Sequence, residues 1–334
     1  MKTHFSYINY WSSISSTGIN RIILIGVILC LCSCEKDKQL AAEIDSIPIT
    51  IKVDRFDQKF AKADTSNWKK LKADYPYFFP EQYDDAFWLS KLTDTIQQEI
   101  NQEVHQVFPN DDYLNEELTS LFKHINYYYP PTAIPKVYTI TSERDYKNRV
   151  IYTDSLLLLA LDNYLGPSHH FYYDIAVYQA KNLKKENIVV DVALDFSQKQ
   201  IAPPHSFTFM EAMIYEGKKR YLSEQLLSLK PTSLILGYTE DEYAFAKENE
   251  VNVWEYFVSK ELLFSTDRKL LSRFLRPAPF SKFYLELDNE TPGQLGVYIG
   301  YKIVSAYMQN TNIPLKTMLA QTAETIFNNA KYKP

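Results

Sequence analysis

All three cysteines of this 334-residue chain lie between positions 30 and 34, at the end of an apolar stretch that begins after Arg21. The stretch is shorter than the roughly 20 residues that a membrane-spanning helix needs, and positively charged residues precede it, which is typical of a secretory signal peptide. The chain becomes charged directly after it, at residues 35–38. The sequence therefore predicts that residues 1–33 are an export signal that the mature protein lacks.

The last four residues of this segment, Leu31, Cys32, Ser33 and Cys34, follow the order of a bacterial lipobox. In that motif small residues give the signal peptidase access to the bond before a cysteine that is then lipidated. We predict that Cys34 carries the lipid and that residues 34–46 form a tether at the cell envelope. The mature chain then has no disulfide and no thiol catalyst, so its stability must come from its hydrophobic core.

Composition excludes several classes of protein. Only 8 of the 334 residues are glycine, which argues against phosphate-cradling loops and against β-barrels with many tight turns. The chain has a formal charge of -5 and no long basic run, so it lacks the electrostatic pattern of a nucleic-acid partner. The signal contains two of the basic residues and no polybasic patch follows it, so the acyl chains alone would anchor the protein to the membrane.

The hydrophobic pattern predicts two lobes. Apolar and other residues alternate over 47–53, which predicts a strand. Apolar residues at helical spacing predict a helical hairpin over 84–108 and 112–129. The prolines that follow Tyr129 break any helix. We therefore predict an N-terminal lobe of residues 47–130 and a second lobe of residues 131–334.

The second lobe reads as mixed but mainly helical. Strands are predicted at 136–141 and 150–153, the latter leading into the apolar run 156–161. Two helices are predicted to begin at capping boxes, Thr208 with Glu211 and Thr239 with Glu242. The predicted helices span residues 188–200, 209–229, 240–264, 294–308 and 315–329. The expected fold class is α+β, predominantly helical.

Glu216 and Gly217 lie in the middle of one of these helices and mark the strongest candidate site. Glycine inside a helix costs about 1 kcal/mol relative to alanine, which indicates that a neighbouring group needs the space. Zinc peptidases of the Glu-ligand type take their third metal ligand from such a glutamate. Asp191 and Asp195 stand at i and i+4 on the preceding helix, where those enzymes have two histidines.

The chain contains no His-Glu-x-x-His motif, and Val192 occupies the position of the general base. Three carboxylates can bind a hard cation such as Ca²⁺ or Mg²⁺, but without imidazole they make a poor zinc site. Alternatively, the two aspartates are the solvated face of a helix, and Glu216 pairs with Lys219 or Arg220. The residues alone leave these alternatives open.

The remaining chemistry-bearing residues favour structural roles. His169 and His170 are adjacent, so in a helix or strand their side chains would point apart. We expect them, like His205, to be loop or partly buried structural histidines. The 26 tyrosines could stack on sugars or peptides, or could form the edges of the core.

Several segments of this chain together resemble the gliding motility lipoprotein GldB family of Bacteroidetes. Beside the lipobox, they are residues 53–57 (VDRFD), 211–218 (EAMIYEGK), 237–240 (GYTE), 254–257 (WEYF), 263–267 (LFSTD), 292–296 (PGQLG) and 300–304 (GYKIV). The resemblance implies an envelope lipoprotein required for gliding, whose partners are other proteins of the gliding and associated secretion machinery. The family is distantly similar to predicted zinc metallopeptidases, which implies a zincin-like C-terminal lobe.

Asp191 and Asp195 depart from the histidines of that peptidase pattern, so the resemblance transfers no catalytic residue and no cofactor. We therefore expect a degenerate zincin-like lobe and a non-catalytic accessory role, with Asp191, Asp195, Glu216 and Gly217 as the degenerate site. The first alternative is a divergent metal-dependent peptidase or hydrolase that uses the three carboxylates. The second is a glycan-capturing surface lipoprotein that relies on its tyrosines.

Overall fold

A computed structural model describes residues 38–334 of the chain. It is mainly helical with a small sheet, which confirms the predicted α+β class. Residues 38–45 are helical, and Ile49–Pro334 form a compact unit with its own hydrophobic core. Within residues 38–334, no helix has the length and hydrophobicity needed to cross a membrane. The predicted signal peptide and Cys34 lie outside the described residues.

The strands are β1 (Val53–Asp54), β2 (Lys136–Ile140), β3 (Val150–Tyr152) and β4 (Leu156–Ala160). The helices are α1 (Phe56–Ala61), α2 (Trp68–Asp74), α3 (Asp85–Thr93), α4 (Thr95–Val107), α5 (Asp112–Tyr128), α6 (Val177–Ala180), α7 (Asn187–Lys199), α8 (Phe209–Leu226), α9 (Thr232–Leu236), α10 (Glu240–Glu248), α11 (Glu250–Ser259), α12 (Lys269–Phe274), α13 (Leu295–Asn310), α14 (Leu315–Ala320) and α15 (Ala323–Ala330). Short 3₁₀ turns occur at Pro76–Phe78, Leu161–Asn163, His170–Tyr172 and Asp288–Glu290.

The sheet has the strand order β1-β2-β4-β3. β1 and β4 both pair with β2 in parallel, with Val137 opposite Val53 on one side and Leu157 on the other. β3 forms an antiparallel hairpin with β4, in which Ile151 lies opposite Leu158. The sheet therefore joins a strand from before residue 130 to three strands from after it.

The two faces of the sheet pack on different cores. Val137, Leu157 and Leu159 belong to the main core, to which α5, α7, α8 and α13 also contribute. Tyr138 and Ile140 pack against a separate aromatic cluster on the other face. Successive side chains of β2 thus point to opposite faces of the sheet, as they do in any strand that is buried on both faces. The buried members of the smaller cluster are Phe56, Phe60, Trp68, Leu71 and Phe79.

A buried ion pair fastens the start of the sheet. Arg55 forms a bidentate pair with Asp57, with nitrogen to oxygen distances of 2.8 and 2.9 Å, and also donates to the carbonyl of Phe108 at the end of α4. Asp57 in turn accepts a hydrogen bond from Thr139 in β2. Arg55 and Asp57 therefore link the segment after β1 to β2 and to the end of α4.

Within the main core, α8 and α13 cross in close contact at two glycines. A Cβ atom on Gly217 would lie 2.2 Å from the carbonyl oxygen of Gly300, and one on Gly300 would lie 1.9 Å from the carbonyl oxygen of Met213. Neither distance is sterically possible for a side chain. The neighbour that Gly217 accommodates is thus the backbone of α13.

The predicted strand at 47–53 is wrong over most of its length, since only Val53–Asp54 pairs in the sheet. Two side chains of α5 take the place of a neighbouring strand. Thr119 accepts a hydrogen bond from the amide of Ile51 at 2.9 Å, and Asn115 accepts one from the amide of Val53 at 2.8 Å. Burial does alternate along this segment, but the amides of Ile51 and Val53 bond to side chains of a helix and not to a strand.

Three predicted long helices are each divided by a polar residue. Asp94 caps α4 by accepting a hydrogen bond from the amide of Gln97, and Thr322 caps α15 in the same way at Thr325. Asn249 ends α10 and precedes α11. Each of these residues satisfies backbone groups locally, which competes with an uninterrupted helix. Sequence periodicity therefore located the helical segments and missed their breaks.

The two predicted capping boxes differ. Thr239 and Glu242 form the complete reciprocal box at the start of α10. Thr208 accepts from the amide of Glu211, but the Glu211 carboxylate accepts instead from the amides of His205 and Ser206. The box of Thr208 and Glu211 is therefore only half formed, because the Glu211 carboxylate bonds to the amides of the preceding loop.

Substituting Gly300 by alanine tests the glycine crossing. An alanine at an unobstructed helix position is favoured over glycine by up to about 1 kcal/mol, whereas here the new methyl group must push two helices apart. We expect Gly300→Ala to lower the free energy of unfolding by about 2 kcal/mol or more, as overpacked cores do. Urea unfolding of residues 35–334 would measure it, with Gln309→Ala on the exposed face of α13 as the control. A stabilised Gly300→Ala protein would refute the close contact.

Candidate functional site

The structure brings the three candidate carboxylates to one hollow of about 470 Å³. Asp191 and Asp195 reach it from α7, and Glu216 reaches it from α8. The segment that leads into β3 supplies Arg149, and α8 also supplies Arg220. Sequence spacing predicted the shared position of the carboxylates but missed Arg149, which lies 42 residues before Asp191.

Arg149 clamps Asp191 in a bidentate ion pair. Its Nε lies 2.6 Å from one carboxylate oxygen and its Nη2 lies 2.7 Å from the other. The hydroxyl of the fully buried Tyr164 also donates to Asp191 at 2.7 Å. These three bonds occupy both carboxylate oxygens, which fixes the orientation of the side chain.

The pKa values of this network reflect its charges. Burial alone would lower the pKa of Arg149, but the charge and hydrogen bonds of Asp191 outweigh burial and raise it. Burial and then the charge of Asp191 raise the pKa of Tyr164 well above its ordinary value. Arg149 is therefore a permanent cation and Tyr164 a permanent donor at any physiological pH.

The other two carboxylates also have cationic partners. Asp195 pairs with Lys199 one turn on, at 2.6 Å, and Glu216 pairs with Lys219 at 2.7 Å. Of the two partners considered for Glu216, the structure selects Lys219. The side chains of Asp195 and Lys199 are each about 40% exposed, so this ion pair contributes little to stability.

Arg220 is the least satisfied charge at the hollow. It donates to the carbonyl of Ile235 at 2.6 Å, while its buried Nε has no hydrogen-bond partner within residues 38–334. Burial lowers its pKa, and the negative charges of Glu216 and Asp191 oppose that shift. The carboxylates thus also stabilise a cation that they do not contact directly.

This donor set does not fit a zinc ion. A divalent cation at Asp191 would have to displace the Arg149 guanidinium, and no imidazole lines the hollow. Across residues 38–334, no group of three or more His, Cys, Asp or Glu side chains is arranged to hold a metal ion. Gly217, the fourth predicted site residue, contacts α13 rather than the hollow.

The histidines lie elsewhere. The rings of His169 and His170 stack with their centres 4.4 Å apart, which corrects the expectation that they point apart, because they enter a 3₁₀ turn rather than a helix or strand. Each pairs with a glutamate of α4, His169 with Glu103 at 3.1 Å and His170 with Glu99 at 3.0 Å.

The tyrosines divide between core and surface. Tyr164 and Tyr298 are fully buried, whereas Tyr77 and Tyr173 are among the most exposed large side chains of the described residues. Tyr83 stacks on Phe87 with ring centres 4.5 Å apart. Trp88 contacts both rings, so this partly exposed cluster is the aromatic surface on which the glycan-binding alternative would have to rely.

Comparison with known proteins identifies one match. A family model described as gliding motility protein GldB matches residues 37–334, which is nearly the whole chain beyond the predicted lipid site. No curated protein and no solved structure matches the chain.

The Asp191 clamp can be tested by removing one negative charge. Asp191→Asn leaves the partly buried Arg149 without a counter-charge, so we expect the free energy of unfolding to fall by about 3 kcal/mol. Asp195→Asn makes the same change one turn away in an exposed pair and should cost less than about 1 kcal/mol. Urea unfolding measures both. Equal losses would contradict the structural role of the clamp.

Proposed function

We propose that this chain, which belongs to the GldB family of gliding motility proteins, is a lipid-anchored component of the cell envelope that serves the gliding machinery. Its role there is structural or accessory: it acts through contacts with other envelope proteins of the gliding and secretion machinery and carries out no catalysis. The match to the family over residues 37–334 is the observation that carries the proposal.

The anchor rests on the sequence around Cys34. The lipobox places the lipidated cysteine three residues before the family match begins, and charged residues follow it directly. The acyl chains on Cys34 then hold the folded unit at a membrane surface through the tether of residues 34–46.

The non-catalytic role is supported by the charge pairing in the hollow. Asp191, Asp195 and Glu216 each carry a cationic partner at 2.6 to 2.7 Å. A general base or a metal ligand needs a free lone pair directed at a substrate, water or ion. The degenerate zincin-like lobe is therefore proposed as a scaffold whose former chemical positions have become ion pairs.

The alternative, a divergent metal-dependent peptidase or hydrolase, uses the same three residues. Its one favourable observation is that Asp191, Asp195 and Glu216 line the same hollow. It requires an ion to displace the Arg149 guanidinium, which engages both oxygens of Asp191, and to bind beside the ammonium groups of Lys199 and Lys219. We therefore favour the scaffold.

Substitution of the lipobox cysteines tests the anchored role in a gliding bacterium that lacks its own copy. We expect Cys34→Ala to abolish incorporation of labelled palmitate, to release the protein from the membrane fraction and to abolish gliding. Cys32→Ala is the matched control, because it alters a neighbouring cysteine of the signal and should keep all three properties. Normal gliding by cells whose Cys34→Ala protein is unlabelled would contradict the proposal.

A further inference from the structure

A second cavity, of about 560 Å³, is also lined by α8 but shares no lining residue with the carboxylate hollow. Its walls come from residues 202–206, from α8 and from the junction of α14 and α15. Met210, Ile214, Phe264, Leu319 and Phe327 give it a largely apolar surface. A concave, mostly apolar cavity of this size with a few polar groups is the usual form of a small-molecule site.

The polar group of the cavity is the ammonium of Lys218. This residue is only 7% exposed, and its Nζ donates to the carbonyls of Leu319 at 2.9 Å and Gln321 at 2.6 Å. An ammonium has three N–H donors, so one is left over. No carboxylate within residues 38–334 forms an ion pair with Lys218, although a buried charge without a counter-charge is costly.

Lys218 keeps its charge under ordinary conditions. Burial lowers its pKa to about 8, so at neutral pH most molecules still carry the ammonium. Its two carbonyl acceptors lie at the end of α14, where a cation is favoured by the exposed carbonyl groups. The cavity therefore contains a positive charge that carbonyl dipoles stabilise and that pairs with no carboxylate of the described residues.

The two acidic residues that line the cavity, Glu211 and Glu324, form no ion pair with Lys218. The carboxylate of Glu211 accepts hydrogen bonds from the amides of His205 and Ser206, and Glu324 is exposed at the surface. α15 begins at this cavity with Thr322 as its cap, so the free amides of its first turn add positive potential. Lys218 and the start of α15 both favour an anion between the apolar walls.

We infer that this cavity binds a small amphiphile that has one carboxylate and an unbranched apolar tail, with the carboxylate on Lys218 and the tail along Ile214, Phe264 and Phe327. A carboxylate can accept the third N–H of Lys218 and also neutralise its charge. The wall formed by Met210, Ile214, Phe264, Leu319 and Phe327 offers apolar surface for an acyl chain, which favours this ligand over a peptide.

Calorimetric titration of residues 35–334 with dodecanoate tests this inference, since the compact unit Ile49–Pro334 contains the whole cavity. We expect one dodecanoate per chain, and binding at least tenfold weaker in Lys218→Met, which keeps the side-chain length and removes the charge. Lys269→Met makes the same change at an exposed lysine and should bind like the unaltered chain. Dodecanol, which lacks the carboxylate, should bind the unaltered chain and Lys218→Met equally.

A second variant keeps the test independent of folding. Ala320 lines the cavity at an exposed position, so Ala320→Trp should fill the space, leave thermal stability unchanged and abolish dodecanoate binding. The inference is overturned if dodecanoate does not bind the unaltered chain, or if Lys218→Met and Lys269→Met bind it equally. It is also overturned if a short peptide with a free C-terminal carboxylate binds and dodecanoate does not.

Discussion

The contact between Gly217 and Gly300 sets the geometry of the whole C-terminal part of the molecule. At these two positions the backbones of α8 and α13 lie against each other, and no side chain intervenes to alter their spacing. Three successive residues of α8 then have separate tasks. Glu216 forms an ion pair at the carboxylate hollow, Gly217 admits α13, and Lys218 reaches the second cavity. A single short segment therefore positions two sites in relation to the core.

The three carboxylates at the hollow are each held in an ion pair, and one of these pairs joins α7 to the segment before β3. Partly buried ion pairs add little net stability relative to apolar residues, but removal of one partner is costly. The bidentate pair of Arg149 with Asp191 and the hydroxyl of Tyr164 therefore constrain the arrangement of α7 and β3 more than they strengthen it. In our account, the lipid anchor and contacts with other proteins serve gliding, and the hollow is part of the scaffold.

Much of the fold could be predicted from the sequence, because helical periodicity and local caps are local properties. The α7, α8 and α13 helices were placed to within a few residues, and the space needed beside Gly217 followed from its cost in a helix. Three features depended on distant residues and could not be predicted. They are the pairing of Arg149 with Asp191, the satisfaction of the Ile51 amide by Thr119, and the burial of Lys218 under the end of α14.

The central claim, that the carboxylate hollow is structural, is tested most directly by gliding of cells whose protein carries Glu216→Gln together with Lys219→Met. The pair of substitutions removes both charges and keeps the side-chain sizes, so the fold and the protein level should be preserved. Our account predicts normal gliding. Loss of gliding at a normal level of folded, membrane-bound protein would contradict it and would assign the Glu216 carboxylate a chemical role.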